Sequence, residues 1–311
     1  MAIRSTMDYD KDGTCFERKS SVMEIDGHTA LVGLIAHPAG HSQSPAMHNL
    51  AFEADHINAR FLAFDVEPAR LNTAIDTIRA FKMLGASISM PFKQAVIPLL
   101  DELDPAAKMI GAVNTVVNHD GHLTGYTTDG IGFVNALKDE GVALKGQTMT
   151  LAGVGGAGTP IAIQAALAGL KTLNIFNIND AAVVNAKRIV TEINEQTDCH
   201  ATFTLLDHQD QFQDAIAQSD LYVDATGLGM GKLVDQALVT DPTWFHPNMT
   251  VFDTVYAPSE TKLMRVAKQA NVAHILNGQG MLLNQGAAAF KLWTGQAMPV
   301  EQVREHLFKE D

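Results

Sequence analysis

Two α/β domains with mostly parallel sheets are what this sequence predicts, on three observations. Strand-like and helix-like segments alternate along the chain. Its 311 residues, 46% of them hydrophobic, exceed one average domain and can fill two cores. A glycine-rich strand–turn–helix segment opens only at Gly153, so the residues before it form a unit of their own.

Residues 1–28 are polar and charged and read as a flexible extension, with Met7 and Met23 as alternative starts. A strand is expected over 29–36, followed by a loop of His, Gly, Pro and Ser and a helix over 45–54. Residues 61–66 read as a strand, 68–82 as a helix and 85–90 as a strand, a βαβ rhythm that implies a mostly parallel sheet. Beyond the glycine loop come strands over 172–176 and 201–205, a helix over 209–217, strands over 221–225 and 250–255, a helix over 260–270 and a strand over 273–276. An apolar helix over 281–293 and a short one over 300–309 close the chain. No internal repeat or low-complexity segment interrupts the alternation.

The loop reads Leu151-Ala-Gly-Val-Gly-Gly-Ala-Gly-Thr-Pro160 after the strand-like residues 148–152, with Gly153, Gly155 and Gly158 in GxGxxG register. Such glycines let a turn close and let backbone N–H groups approach a pyrophosphate, while the following helix offers its positive end. Pro160 falls in the first turn, where its missing donor costs nothing. An apolar helix over 161–170 with Gly169 near its end, then the strand over 172–176, complete a βαβ unit of Rossmann type. After that strand, Asn177-Ile-Asn-Asp180 places a carboxylate where it can accept both hydroxyls of an adenosine ribose. It would repel a 2′-phosphate, so NAD is favoured over NADP; Lys187 and Arg188 on the next helix leave NADP open. Asp180 could instead simply cap that helix. Residues 129–283 are thus expected to form the dinucleotide-binding domain, and residues 29–128, completed by 284–311, the substrate domain.

A net charge of −13 and a pI near 5.3 argue against nucleic acid and anionic membrane as partners, since either polyanion would be repelled. Cys15 and Cys199 make neither a CxxC nor a metal-ligand spacing. The 12 histidines are scattered, and His37 and His41 lack a carboxylate at ligand spacing, so no metal site is expected. With no apolar run of membrane length and no signal peptide, a cytoplasmic protein is expected.

Four further segments place polar residues in loops at strand ends, where open parallel sheets bind their ligands. They are His41-Ser-Gln-Ser-Pro45, Ser87-Ile-Ser-Met-Pro-Phe-Lys93, Gly111-Ala-Val-Asn-Thr115 and Gly125-Tyr-Thr-Thr-Asp-Gly130. Together they resemble the shikimate dehydrogenase family. The resemblance extends through Asp224-Ala-Thr-Gly-Leu-Gly-Met230, Asp253-Thr-Val-Tyr-Ala-Pro258 and Gly280-Met-Leu-Leu-Asn-Gln285, covering residues 29–305. Ser89-Met-Pro in place of a threonine-bearing form, and the absence of an NADP-binding arginine in 177–180, look closest to the branch that oxidises quinate as well as shikimate.

The resemblance implies an NAD(P)-dependent oxidoreductase that interconverts a ring alcohol and ketone of a cyclic polyhydroxy acid. Ser42 and Ser44 match the pair that holds the substrate carboxylate; Ser89, Asn114, Thr128 and Gln285 match positions that read the ring hydroxyls. Lys93 matches the catalytic lysine and Asp129 its partner. Hydride transfer leaves a proton on the carbinol oxygen, which needs an acceptor at hydrogen-bond distance, and the same group returns it in reduction. Asp129 is expected to hold the ammonium and share that proton. Cofactor contacts are implied for Gly153, Gly155, Gly156, Ala157, Gly158, Asn177, Asp180, Thr226, Gly227, Met230, Val255, Tyr256, Gly280 and Met281, with Tyr256 packing at the nicotinamide side. Small dimers are usual for the family, so a homodimer is the implied assembly.

Each residue also has a plainer reading. Lys93 alone would be a solvated loop lysine, Asp129-Gly130 a turn and cap, and Ser42 and Ser44 caps for the helix at Pro45; Asn114 and Gln285 could serve only neighbouring backbone. The sequence departs from the family pattern at Thr127 and Ser87, where asparagines are usual, at Phe61, often a tyrosine, and at Gly227, where the quinate-using branch can carry a lysine. Loss of a phenol near the pocket would remove a hydroxyl contact and alter substrate discrimination. Turnover of an amino analogue or another polyol acid, or a dinucleotide sensor without turnover, are the alternative readings; a sensor needs no proton acceptor, which the Lys93/Asp129 pair supplies.

Overall fold

A computed structural model describes residues 7–9, 15–17 and 24–308. The flexibility expected of the N-terminal extension mostly concerns residues outside that set. Within it, β1 (Met7–Tyr9) and β2 (Cys15–Glu17) pair antiparallel, and Asp26 accepts from the amide of His28 (2.8 Å) and from Asn58 Nδ2 (3.1 Å), tying the turn before β3 to the approach to β4.

The first lobe contains β3 (Ala30–Ala36), α1 (Ser44–Ala54), β4 (Ala59–Asp65), α2 (Leu71–Ala80), β5 (Gly85–Ile88), β6 (Glu102–Leu103), α3 (Pro105–Ile110), β7 (Thr115–His119) and β8 (His122–Tyr126). They form a six-stranded sheet in the order β4-β3-β5-β7-β8-β6. β3 runs parallel to β4 and β5, but β7 is antiparallel to both neighbours. The sequence reading lacked this hairpin and treated its two ends as separate loops. The helix expected over 68–82 opens as a 3-10 turn at Pro68–Arg70 and ends at Ala80.

The second lobe is built from α4 (Asp129–Asp139), β9 (Thr148–Ala152), α5 (Gly158–Leu167), β10 (Thr172–Asn177), α6 (Ala182–Gln196), β11 (His200–Leu205), α7 (Gln209–Ala217), β12 (Leu221–Asp224), β13 (Thr250–Asp253), α8 (Lys262–Gln269) and β14 (His274–Leu276). Its sheet, β11-β10-β9-β12-β13-β14, is wholly parallel. The chain leaves β9 toward one edge and returns at β12 toward the other, so the switch point lies between β9 and β12, where such sheets bind ligands. Helices α5 and α6 cover one face around Leu151, Ile161 and Ile189; α7 and α8 cover the other around Phe212, Tyr222 and Leu263.

After the second sheet, α9 (Gly278–Thr294) and α10 (Val300–Leu307) return to the first lobe, where Phe290, Trp293 and Val303 share a core with Val32, Phe52 and Phe61. Trp293 Nε1 donates to the carbonyl of Val116 on β7 at 3.0 Å, a buried bond across 177 residues of sequence. Trp293→Phe is expected to lower unfolding free energy by about 0.5–1.5 kcal/mol, because it removes one buried hydrogen bond while the Val116 carbonyl stays in register with Ala86 of β5; an unchanged urea midpoint would remove that bond from the stabilising set. Among the described residues no helix is long and apolar enough to cross a membrane.

Candidate active site

Lys93 and Asp129 meet where the lobes join. Lys93 Nζ lies 2.6 Å from Asp129 Oδ2, with the side chains 20% and 15% exposed: accessible to a small molecule, yet largely shielded. Lys93 follows β5, and its carbonyl accepts from the amide of Val113 (2.8 Å), fixing its loop against the approach to β7. Asp129 opens α4. Its second oxygen, Oδ1, accepts from Asn114 Nδ2 at 2.8 Å, so both oxygens are engaged and the carboxylate cannot rotate freely. Asn114 is itself locked: its Oδ1 accepts from the amide of Thr128 (2.8 Å) and from Thr115 Oγ1 (3.0 Å), and its Nδ2 also reaches Thr128 Oγ1 (3.0 Å). Thr115, which the sequence reading did not single out, completes this buried network.

Helix α4 brings the pair to the second lobe. A Cβ on Gly130 would come 2.5 Å from the carbonyl oxygen of Pro160 on α5, and one on Gly132 2.6 Å from that of Met281 on α9. Only the missing side chains let α4 lie against both helices, and Asp129 thereby stands beside the helix that begins at the glycine loop.

Of the other residues expected to meet the substrate, Ser42 and Ser44 lie half-buried where the chain enters α1. Ser42 Oγ accepts from the amide of Ser44 at 3.2 Å. The amide of His37 donates to the carbonyl of Met90 (3.0 Å), so this loop lies beside the one carrying Ser89. His37 Nδ1 is 2.6 Å from Asp65 Oδ1, and that hydrogen bond holds the imidazole above its ordinary range. Gln285 sits on α9 against Gly132, its Nε2 donating to the carbonyl of Leu282 (2.9 Å). Phe61 is placed differently from expectation: its ring is fully buried, stacked on His48 (centroids 4.7 Å apart) and near Trp293 (5.9 Å), so it is core rather than pocket wall. Burial among these rings pushes the His48 imidazole down to about 3.

The glycine loop leaves β9 at the switch point. Gly153 approaches Ala225 and the amide of Thr226 so closely that a Cβ would be 3.1 Å from that nitrogen, while Gly155 and Gly156 are exposed with open space above them. Ala157 is half-buried, and Gly158 begins α5. Open glycines before a helix N-terminus fit a pyrophosphate. Asn177 braces the loop: its Oδ1 accepts from the amide of Val154 (3.2 Å), and its Nδ2 donates to Asp180 Oδ1 (2.9 Å). That same Asp180 oxygen accepts from the amide of Ala182 (2.9 Å), the first residue of α6, although the N-cap position itself is Ala181. Of the two cations that left NADP open, Lys187 is exposed on α6, whereas Arg188 is already occupied: its guanidinium donates to the carbonyls of Met109 (2.9 Å) and Ile110 (3.1 Å) and to Asn185 and Glu192.

Two buried carboxylates that the sequence reading did not single out shape the far wall. Asp224 accepts from the amide (3.0 Å) and hydroxyl (2.6 Å) of Thr226; Asp253 accepts from the amide of Val255 (2.9 Å) and from Thr261 Oγ1 (2.6 Å). They end adjacent strands in register. Burial raises both above the ordinary carboxylate range, Asp253 to about 6. Thr226, Gly227 and Met230 follow the first, with Met230 exposed; Val255 and the half-buried Tyr256 follow the second. The carbonyl of Val255 accepts from the amide of Gly278 (2.9 Å), bringing Gly280 into the same region, whereas Met281 is buried in the core of the second lobe. Among the described residues no group of three or more His, Cys, Asp or Glu could hold a metal ion.

Fold and site define a class: two-lobed α/β proteins with a Rossmann-type dinucleotide sheet and a lysine–carboxylate pair at the lobe junction. Within it, one family model, the shikimate dehydrogenase substrate binding domain, matches residues 34–116, and another, the shikimate 5′-dehydrogenase C-terminal domain, matches residues 278–308. The chain is 50% identical over 288 residues to a shikimate dehydrogenase (NADP(+)) of Streptococcus uberis, covering 92% of this chain and 98% of that protein. The structure of shikimate 5-dehydrogenase from Listeria monocytogenes in complex with shikimate and NAD superposes with a TM-score of 0.89 at 44% identity, over 91% of this chain and 98% of that one. Quinate dehydrogenase from Corynebacterium glutamicum in complex with NAD gives 0.80 at 30% identity, over 89% and 98%. The chain belongs to the shikimate dehydrogenase family.

Proposed function

We propose that this protein is a nicotinamide-dependent oxidoreductase that interconverts a ring secondary alcohol and ketone, with shikimate as its leading substrate and quinate second. The observation that carries this reading is the Lys93–Asp129 pair, 2.6 Å apart and fixed from behind by Asn114, beside the helix of the glycine loop. Residues 29–128 with 284–311 hold the acid, and residues 129–283 hold the dinucleotide, which when bound exchanges a hydride with the ring carbon. Lys93 and Asp129 take the hydroxyl proton on oxidation and return it to the carbonyl oxygen on reduction. Ser42 and Ser44 donate hydroxyl hydrogen bonds to the substrate carboxylate; Ser89, Asn114, Thr128 and Gln285 read the ring hydroxyls. Shikimate leads because the relative named for it is 50% identical, against 30% for the quinate dehydrogenase.

NAD is the preferred dinucleotide in this reading. Asp180 puts a carboxylate beside the adenosine ribose, and the nearby guanidinium of Arg188 is committed to backbone carbonyls and cannot pair with a 2′-phosphate. The Listeria structure at 44% identity holds NAD, while the Streptococcus relative is named for NADP(+). A matrix of NAD and NADP against shikimate and quinate tests both choices. Highest kcat/KM is expected for NAD with shikimate; equal or better turnover with NADP overturns the cofactor reading, and no turnover in any cell of the matrix overturns the enzyme. The assembly in this reading is a homodimer, which sedimentation velocity measures.

A further inference from the structure

Helix α3 belongs to both lobes. Its Ala107 packs with Ile75, Ile88 and Val116 beneath the first sheet, whereas Met109 and Ile110 are buried with Leu137, Ile163 and Ile189 beneath the second. The helix ends at Gly111 in the left-handed region, φ 71°, and its last carbonyls have no partner within the helix. Arg188 on α6 supplies two of the missing donors, Nη1 to Met109 (2.9 Å) and Nη2 to Ile110 (3.1 Å). The guanidinium is aimed by Asn185 Oδ1, which accepts from Nε (3.2 Å) and Nη2 (2.8 Å), and by Glu192 Oε1, which accepts from Nη1 (2.6 Å). Asn185 Nδ2 then donates to Thr159 Oγ1 (3.0 Å), and that hydroxyl donates to the carbonyl of Val154 (2.9 Å) inside the glycine loop.

A continuous chain of hydrogen bonds thus runs from the end of α3 to the dinucleotide loop. Beyond α3, the amide of Val113 donates to the carbonyl of Lys93, and the next residue, Asn114, holds Asp129. The two groups whose spacing matters most for hydride transfer, the proton-handling pair and the glycine loop, are therefore joined through this side chain as well as by the packing of α4 on α5. We propose that Arg188 is a positioning residue: it latches α3 to α6 and so fixes the separation of the substrate pocket from the dinucleotide. This rests on the oxidoreductase reading above. A guanidinium suits the task because its planar fork reaches two carbonyls at once, which an ammonium cannot do with the same geometry. Reacting atoms must approach to about 3–3.5 Å, and an error of about 1 Å far from the chemistry can cost on the order of 100-fold in rate.

The test compares Arg188→Met, which keeps the apolar stem, with Arg188→Lys in the full-length protein. Four quantities are read: kcat, KM for shikimate, Kd for NAD, and the primary deuterium isotope effect with shikimate labelled at the oxidised carbon. Amide hydrogen exchange over residues 105–114 is measured alongside. For Arg188→Met, kcat is expected to fall about 10-fold with KM and Kd within about 2-fold, the isotope effect to rise, and exchange at 109–114 to quicken, since loosened spacing penalises the hydride step rather than either binding step. Arg188→Lys should recover part of the loss. Unchanged kcat in folded protein, or a fall that tracks only the unfolded fraction at wild-type isotope effect and exchange, overturns the latch. If Arg188→Met does not fold, Arg188→Lys with wild-type kcat and wild-type exchange overturns it equally. Should the wild type oxidise none of the acids, the oxidoreductase reading fails on that ground alone, and the exchange comparison then decides whether Arg188 joins the lobes.

Discussion

Replacing Lys93 by alanine is expected to lower kcat by about 10²–10⁴-fold, the usual contribution of a positioned proton donor and acceptor, while the Kd for NAD stays within about 3-fold. The prediction follows from how the pair is built. Asp129 is held on one side by Lys93 Nζ at 2.6 Å and on the other by Asn114 Nδ2 at 2.8 Å, so removing the ammonium leaves a carboxylate oriented but without the proton it shares. The glycine loop keeps its own braces from Asn177 and Thr159. Asp129→Asn is expected to cost nearly as much as Lys93→Ala, and the double variant little more than either, because two groups that move one proton do not act additively. Fluorescence titration of NADH separates binding from turnover. Wild-type kcat in Lys93→Ala, or losses in the two single variants that simply multiply in the double, would remove the pair from the chemistry.

That Lys93 and Asp129 would meet followed from the resemblance to the family, since a lone loop lysine and an Asp-Gly turn carry no such signal by themselves. The parallel sheet of the second lobe was legible in the sequence itself: β9, β10, β11, β12, β13 and β14 are each short apolar runs bounded by turns or helices. The β7–β8 hairpin was missed although its signal was present. Asp120 and Gly121, both at positive φ, form the two-residue loop between the paired His119 and His122, a turn chemistry that the βαβ rhythm overrode. Phe61 was misplaced because a strand places alternate residues on opposite faces, and no local pattern says which face meets α9, which follows more than two hundred residues later. Arg188 illustrates the limit best: its partners Met109 and Ile110 lie 79 and 78 residues earlier, and nothing near Arg188 marks them. Asp224 and Asp253 lay inside segments already singled out, but their work on Thr226 and Val255 depends on burial, which spacing does not reveal.

Gly158→Ala is expected to weaken NAD binding by about 10–100-fold and to destabilise the free protein by about 1–3 kcal/mol, as overpacking a filled site does. A Cβ at Gly158 would overlap the carbonyl oxygen of Gly153, and no flexible side chain stands there to yield. Gly153 has no room to retreat. It adopts φ 89° and already abuts Ala225 and the amide of Thr226, so displacing it pushes the loop after β12 as well. The α5 N-terminus and the far wall of the crevice would move together, and the backbone donors of the first turn would lose their aim. Gly155→Ala provides the contrast, since a Cβ there meets nothing in the protein. That variant should melt like wild type and lose affinity only if a ligand comes close to the loop at that point. Thermal melts with and without NAD distinguish the two causes: Gly158→Ala should melt lower even without ligand, Gly155→Ala only in the size of its ligand-induced rise. KM for shikimate should hold near wild type in both, because Ser42, Ser44 and Lys93 belong to the first lobe and both glycines to the second. If Gly158→Ala bound NAD with wild-type affinity and melted at the wild-type temperature, the loop could not be the tightly closed cradle that the overlap with Gly153 requires.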